Sequence, residues 1–401
     1  MREDLTNWTY VIKISMPNTQ AAGIQTAKMC DALAEHGIDI DIWYARRKRG
    51  NRPESMQEFH DLEHDIPTRE LWYYNPHRLS TRFGTTLAKP ALLFANISFA
   101  FVALLSALRS DTDCFITREW PVAALFVLCG VPTVYSAHTV DALGFSSRAR
   151  RIFQFIGTLD ALRLVVANSQ GTAAGMVDSG VPERKVVALP NAVDLDEYEP
   201  EVGKQQAREQ TGLPNDERLA VYTGSLLKSK GAYELARASE HIDGKVVLVG
   251  GKPARQAEME TFVESEGLDD VVLVGRVDPD RVPLYQFAAD VLVLPALDEA
   301  FETHHQPEYT SPLKLFEYMA ARRPLVASDI PALHEILTDG QNALLVDPGS
   351  PTAIAAAADR LGSNDRLSER LVTAAFETVS EYTWSNRAER LLHVLGPDHD
   401  L

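Results

Sequence analysis

Residues 310–324 read T-S-P-L-K-L-F-E-Y-M-A-A-R-R-P and hold the side chains best suited to chemistry. Ser311 suits a capping position and Pro312 the first helical position, so the spacing predicts a helix over 312–322. Leu313, Phe316 and Ala320 form one apolar stripe, while Lys314 and Glu317, three apart, share another face. Free first-turn amides and the helix dipole favour an anion at such a helix start. A nucleoside diphosphate fits there: Lys314 adds positive charge, and Glu317, one turn deeper, accepts hydrogen bonds from ribose hydroxyls. The plainer alternative is an exposed Lys314–Glu317 pair contributing about 0.2–0.5 kcal/mol. A second segment, V-Y-T-G-S-L-L-K-S-K-G at 221–231, joins a strand-like run to a helix-like one. Gly224 permits close backbone approach to a ligand, and Lys230 can reach a phosphate from the loop; the alternative is an ordinary connection with exposed lysines. The Walker pattern GxxxxGK[ST] is absent, and no GxGxxG opens either half.

Both segments need a frame that brings them together. In the second half, apolar β-branched runs at 219–223, 245–249, 271–274, 291–294, 325–327 and 343–346 alternate with amphipathic stretches at 232–241, 254–267, 281–288, 312–322 and 351–361. Continuous apolar strands alternating with helices indicate a parallel sheet covered on both faces. The first half repeats the theme, with strands expected at 10–15, 38–44, 114–117, 133–136 and 164–167 and a helix at 26–36. The boundary is expected at Pro190-Asn191, where V-V-A-L-P-N-A-V-D-L-D-E-Y-E-P carries two prolines and a turn-forming run. The fold class is therefore α/β, with two Rossmann-like doubly wound domains facing across a cleft.

Composition narrows the function classes. The 401 residues include 39 Lys and Arg against 56 Asp and Glu, a net charge of -17, which excludes a generic nucleic-acid binder. The excess is one-sided. Residues 1–190 carry 20 basic and 19 acidic side chains, and the remainder carries 19 and 37. Cys30, Cys114 and Cys129 are odd in number, widely spaced and without a CxxC, which argues against a disulfide framework or a zinc ribbon. The start, M-R-E-D-L-T-N-W-T-Y, lacks a signal-peptide apolar stretch, so a cytoplasmic setting is expected. The apolar run 90–108 is near the lower length of a membrane span and is interrupted by Asn96, Ser98 and Ser106; a buried helix is expected there, with membrane contact as the alternative.

The loop and helix motifs, in this order and spacing, resemble retaining glycosyltransferases of the GT-B fold, specifically glycosyltransferase family 4. Gly224, Ser225, Leu226, Lys230 and Gly231 match the family's G-[RS]-L-x-x-x-K-G loop. Val274-Gly275-Arg276 resembles the strand and glycine lining the base pocket, and Ala289-Asp290-Val291 opens an A-D-[VI]-x-[VL]-x-P match ending at Pro295. Leu315 to Ala320 and Pro324 to Ser328 resemble the L-x-E-x-M-A-x-G-x-P-V-V-A-S helix and strand. The first half matches more loosely. Pro190-Asn191-Ala192-Val193-Asp194 resembles the interdomain P-N-G-V-D, Ala22-Gly23 stands where many members have a Gly-Gly loop, and His138 stands where a histidine contacts the donor sugar. Arg118-Glu119 is a second candidate of that kind.

The resemblance implies a domain 1–190 that binds the acceptor, a domain 191–380 that binds a nucleotide-sugar, and a terminal helix over 381–401 that crosses back. It implies transfer of a sugar to a hydroxyl of a glycan, a lipid-linked or a small-molecule acceptor, with retention, and with no cofactor and no metal. In these roles Lys230 and Lys314 hold the diphosphate beside Gly224, Ser225, Ser311, Pro312 and Leu313. Glu317 anchors the ribose, Gly275 and Arg276 flank the base, and His138 and Glu308 contact the sugar, with Gly23 nearby. Three departures stand out. The family's E-x7-E places its first glutamate at Tyr309, with Glu308 adjacent; either Glu308 takes the role through a bulge or Tyr309 replaces it. Ser225 stands where many members have arginine, and Arg322-Arg323 replaces the usual Ala-Gly or Cys-Gly. The polar loop 297–310, with His304 and His305, matches no standard zinc spacing and reads as a mobile loop over the donor. Basic clusters at 45–52 and 148–155, the latter interleaved with aromatics, suit an anionic membrane surface or, equally, a solvated helix face. A non-hydrolysing nucleotide-sugar epimerase and a non-catalytic nucleotide-sugar binder are the alternative functions.

Overall fold

The computed structural model describes residues 6–46, 55–74, 85–138, 147–297 and 311–396. It divides into two units: Met1–Pro190 with Trp384–Leu401, and Asn191–Thr383. The first unit is built on strands β1 (Asn7–Ile12), β2 (Asp39–Ala45), β3 (Thr68–Leu71), β4 (Cys114–Thr117), β5 (Thr133–Ala137), β6 (Leu162–Ala167) and β7 (Val186–Ala188). All pair in parallel in the order β3-β2-β1-β4-β5-β6-β7. The second unit has β8 (Leu219–Thr223), β9 (Lys245–Val249), β10 (Val271–Gly275), β11 (Val291–Leu294), β12 (Leu325–Ser328) and β13 (Leu344–Val346), again parallel, in the order β10-β9-β8-β11-β12-β13. In each sheet the order reverses beside the first strand, between β1 and β4 and between β8 and β11. A parallel sheet opens a crevice at such a point, outside the carboxyl ends of its strands.

Why these runs form central strands is plain in β8, β9 and β11, where nearly every side chain is buried because helices cover both faces. The expected strand at 10–15 is corrected to Asn7–Ile12: buried Trp8 opens it, and the chain leaves the sheet before Lys13. Two strands absent from the sequence reading, β3 and β7, are the short edges of the first sheet. The apolar run at 90–108 lies in helix Thr85–Ala107, and among the described residues no helix is long and apolar enough to cross a membrane. Cys30 and Cys114 are buried and Cys129 exposed, and all three are free thiols.

The chain leaves the first unit after Pro190 and returns at Trp384. Within the second unit the Val193 amide donates to the Tyr382 carbonyl at 2.9 Å. Within the first, buried Arg387 on helix Trp384–Leu395 donates to the carbonyls of Pro190 at 2.9 Å and Leu189 at 3.3 Å. Each end of the linker is thereby fastened to the segment beside it.

The second sheet is locked by one buried charge cluster. Arg208, almost fully buried, donates to the carbonyls of Ala288, Asn215 and Glu217 and to Asp290, while Asp290 also accepts from Lys204 and from the Leu219 amide at 2.7 Å. Burial alone would raise the Asp290 carboxyl; its bonds to Lys204 and Leu219 and the Arg208 charge outweigh burial and hold it below the usual value. The aspartate of the A-D-[VI] motif is thus a joint between the entries to β8 and β11. Removing one partner of such a cluster leaves a buried charge unpaired, so Asp290→Ala is expected to destabilise the protein by about 3–5 kcal/mol, measured by urea unfolding. A change below about 1 kcal/mol would show that Arg208 is solvated instead.

Candidate active site

The β8–β11 crevice is where the two sequence motifs meet. β8 ends at Thr223, and Gly224 follows with φ +144, its amide donating to the Val249 carbonyl at 2.8 Å. A Cβ on Gly224 would sit 2.4 Å from the Lys314 Nζ. The sequence reading left the space over Gly224 to a ligand; the group that occupies it is the Lys314 ammonium. Lys314 Nζ donates to the Tyr222 hydroxyl at 2.8 Å and lies 4.0 Å from the centre of its ring, and Tyr222 in turn donates to the Ser225 carbonyl at 2.8 Å. A hydroxyl at the end of β8 therefore sets both the lysine and the loop. The loop closes at Gly231, φ +71, where a Cβ would fall 1.6 Å from the Pro295 carbonyl oxygen just past β11; no side chain fits there. Gly250 and Gly275 complete a bare floor. The Gly250 amide donates to the Gly275 carbonyl at 2.6 Å, and a Cβ on Gly250 would sit 2.2 Å from the Gly224 carbonyl. Gly250 was not singled out from the sequence.

The helix carrying Lys314 spans Leu313–Ala320, which corrects its expected start. Pro312 is the capping residue and Ser311 makes no cap bond. Instead the Ser311 Oγ accepts from the Asn191 amide at 3.1 Å, and its carbonyl accepts from the Asn191 side chain. Asn191, the asparagine of the interdomain motif, therefore holds the helix start by the residue that sequence alone assigns to capping. Tyr318, fully buried, bonds the helix to the end of β8: its hydroxyl accepts from the Thr223 amide at 2.7 Å. Gln286 bridges the rest. It accepts from Tyr198 at 2.8 Å and donates to the Thr223 hydroxyl at 3.2 Å, and its side chain helps hold the Glu317 carboxyl down against burial. Gln286, Tyr198, Tyr222 and Tyr318 are structural supports that the sequence reading did not assign.

Electrostatics separate this arrangement from the plain alternative. Lys314 and Glu317 are half-buried, not an exposed pair. Burial pulls the Lys314 ammonium down to about 8, with the Glu317 charge opposing. Burial pushes the Glu317 carboxyl up to about 7, opposed by Lys314 and reinforced by Glu197. Lys230 is lowered by burial and then by the Lys314 charge. Two lysines thus repel each other in a partly dry place, an arrangement that an anion would relieve.

Ser225 and Arg276 are exposed, and Gly275 closes β10 with φ +81 instead of following the strand. In the first unit, Gly23 stands inside helix Ala21–Glu35, not in a loop, and a Cβ there would meet the Asn18 side chain at 2.8 Å. His138 follows β5. Its Nε2 pairs with the Ser136 hydroxyl at 3.1 Å, and burial followed by the Arg118 and Arg387 charges keeps it well below the usual range, hence neutral. Glu119 accepts from the Lys13 amide at 3.3 Å across the β1–β4 reversal. Glu308, Tyr309, His304 and His305 lie outside the described residues, as does most of the 45–52 cluster. Among the described residues no three His, Cys, Asp or Glu side chains are grouped to hold a metal. Arg322 takes the left-handed φ of +51 that a glycine would favour, held by Glu199 at 2.5 Å and by the Phe376 ring at 3.9 Å.

Known proteins share this construction. The model for Glycosyltransferase Family 4 matches residues 22–197, and that for Glycosyl transferases group 1 matches 217–364. The chain belongs to the family 4 glycosyltransferases. It is 29% identical to a D-inositol 3-phosphate glycosyltransferase of Thermomonospora curvata over 95% of this chain and 92% of that protein. The same-named protein of Corynebacterium diphtheriae is 28% identical over 67% of this chain and 66% of its own length, slightly under two thirds. The Anabaena protein Alr3699/HepE, solved with UDP, shares the GT-B fold at a TM-score of 0.72 and 16% identity, covering 97% of this chain and 99% of that one. The enzyme is thus a glycosyltransferase of two Rossmann-like units.

The pair Lys314 and Glu317 carries a pH signature. Between the ordinary glutamate value and about 7 the folded enzyme binds the extra proton, so the Glu317 contribution to stability falls as pH rises through that window. From about 8 to the ordinary lysine value the unfolded chain binds more, so the Lys314 contribution rises with pH. Ligand-free enzyme should be weakest, through this pair, at pH 7–8. The double variant Lys314→Met with Glu317→Gln is expected to raise the thermal midpoint there and flatten the profile, read by calorimetry across pH. An unchanged profile would refute the assignment.

Proposed function

We propose that the enzyme transfers a sugar from a nucleoside-diphosphate-sugar to a hydroxyl acceptor with retention of anomeric configuration. The observation that carries this reading is the convergence of Lys230 and Lys314 on the glycine floor at the carboxyl end of β8, each lowered by burial. As the bond from the anomeric carbon to the diphosphate breaks, the transition state turns oxocarbenium-like and negative charge grows on the leaving group. Two ammonium groups set there in advance meet that charge, and the dianion in turn favours their protonated form. The Anabaena neighbour was solved with UDP-glucose as well as with UDP, which supports a donor of this class.

In this reading Lys230 and Lys314 bind the diphosphate with the start of helix Leu313–Ala320, beside Ser225, Ser311, Pro312 and Leu313. Glu317 holds the ribose, kept in place by Gln286, and Gly275 and Arg276 flank the base. Because lysines and helix amides supply the neutralising charge, the reaction is proposed to need no metal and no further cofactor. The roles of Gly23, His138 and Glu308 toward the sugar rest on the family resemblance alone, as does same-face attack without a covalent intermediate. The acceptor is a glycan, a lipid-linked or a small-molecule hydroxyl compound, the last in keeping with the inositol phosphate in the relatives' names. We assign its binding to the first unit, and place the enzyme in the cytoplasm and peripherally on an anionic membrane face.

Incubation with a panel of nucleotide-sugars tests the reading. Nucleotide release that requires an acceptor supports transfer; an isomerised sugar would indicate the epimerase, and binding without turnover the binder. Lys230→Ala is expected to lower kcat by about 10²-fold or more, the usual effect of losing a group that stabilises transition-state charge. Wild-type turnover by that variant would remove Lys230 from the mechanism.

A further inference from the structure

Every exposed large hydrophobic side chain among the described residues lies between Trp72 and Phe155 of the first unit. Single exposed apolar residues are ordinary, but a collected set is not. Most belong to helix Thr85–Ala107 and the residue after it, where Leu93, Ile97, Phe101, Leu105 and Leu108 recur every three or four residues and are 53%, 54%, 54%, 37% and 59% exposed. The opposite side of the same helix is already used. Phe99, Ala100, Ala103 and Leu104 are buried in the core with Phe115 and Phe126. The helix is thus apolar on its core side and again on the side it exposes, with Asn96, Ser98 and Ser106 half-buried between them.

The surface continues. Helix Thr85–Ala107 packs on helix Trp120–Leu128, which packs on helix Ser147–Gly157, so the three form one layer on the sheet. The third helix buries Phe153 and Ile156 and exposes Arg151, Ile152 and Phe155. At the end of the first, exposed Arg109 donates to the Leu105 carbonyl at 2.6 Å, which fixes a cation beside Leu108.

Charge decides what covers this layer. The three helices, 85–107, 120–128 and 147–157, contain no Asp or Glu, although the chain's average density would put about six there. Among the described residues, Arg109 at the end of the first helix and Arg151 on the third are exposed cations. A second copy meeting this face with its own would set Arg109 and Arg151 against like charges, with no carboxylate on the three helices to pair them. An anionic bilayer offers hydrocarbon for the apolar stripe and phosphates for the arginines.

We propose that the outer face of this three-helix layer docks on the surface of an anionic membrane, with Ile97, Phe101 and Phe155 in the headgroup boundary and Arg109 and Arg151 on lipid phosphates. This deepens the peripheral-membrane part of the function proposed above and rests on it, but not on the donor chemistry. The test is flotation of the full chain with vesicles of phosphatidylcholine, with and without phosphatidylglycerol. Binding is expected only with the anionic lipid and should weaken with salt. Ile97→Glu with Phe101→Glu should lower the bound fraction at least about tenfold, since both side chains lose their place in the boundary. Arg151→Ala should lower it about fivefold, the loss of one surface cation. Both variants alter exposed positions, so thermal midpoint and nucleotide binding should stay as in the wild type. No association with anionic vesicles, or equal association by the double variant, would overturn the proposal. So would a dimer that the same substitutions dissolve, which would assign the face to a second copy. Loss of nucleotide release with vesicle binding intact would count against the donor chemistry instead.

Discussion

The second unit is organised around the difficulty of keeping two ammonium groups close together and short of water. Lys314 and Lys230 each lose hydration, and the Lys314 charge further disfavours the charge of Lys230. An isolated pair of this kind would swing apart or give up protons. Here the Tyr222 hydroxyl and ring hold one of them, and a loop bounded by Gly224 and Gly231 carries the other. The glycines matter because the space a Cβ would need is already filled, by an ammonium at one end and a carbonyl at the other. Behind this layer stands a chain of neutral hydrogen bonds, Tyr198 to Gln286 to Thr223 to Tyr318, which orients the helix without adding further charge.

Much of this frame was legible in the residues alone. The strands of the second sheet were read almost to the residue, because central parallel strands are continuous β-branched runs bounded by turns. The first sheet was read less well for a physical reason. Its edge strands, T-R-E-L and V-V-A, are short and partly exposed, so no apolar run announces them. The site motif was visible because Lys314 and Glu317 sit on one short helix. Its supports were not, because Gln286 lies 63 residues from Thr223, Tyr318 lies 95 from it and Asn191 lies 120 from Ser311. Ser311 shows the same limit. Local grammar makes it a cap, and a distant asparagine claims it instead.

Departures from the family pattern also acquire a local account. Arg322 occupies a left-handed backbone position where the family pattern has a small residue. Two partners, the Glu199 carboxylate and the Phe376 ring, hold it there. Arg323 beside it donates to the Phe287 carbonyl at 2.9 Å and to Glu201 at 2.8 Å. The pair fastens the end of the site helix to the segment entering the unit, an attachment that Ala-Gly could not make.

The return of the chain at Trp384 bears on how the enzyme is made. The first unit is discontinuous: its closing helix, with Arg387 reaching the carbonyls of Leu189 and Pro190, is encoded after the whole of the second. On a ribosome adding about 5–20 residues per second, the first unit waits roughly 10–40 s for that helix after Pro190 has been made. Throughout that interval the surface of helix Ala21–Glu35 that receives it stands open. The second unit, contiguous in sequence, can finish first. Synthesis therefore inverts the order of the domains, and the N-terminal half is the last to be completed.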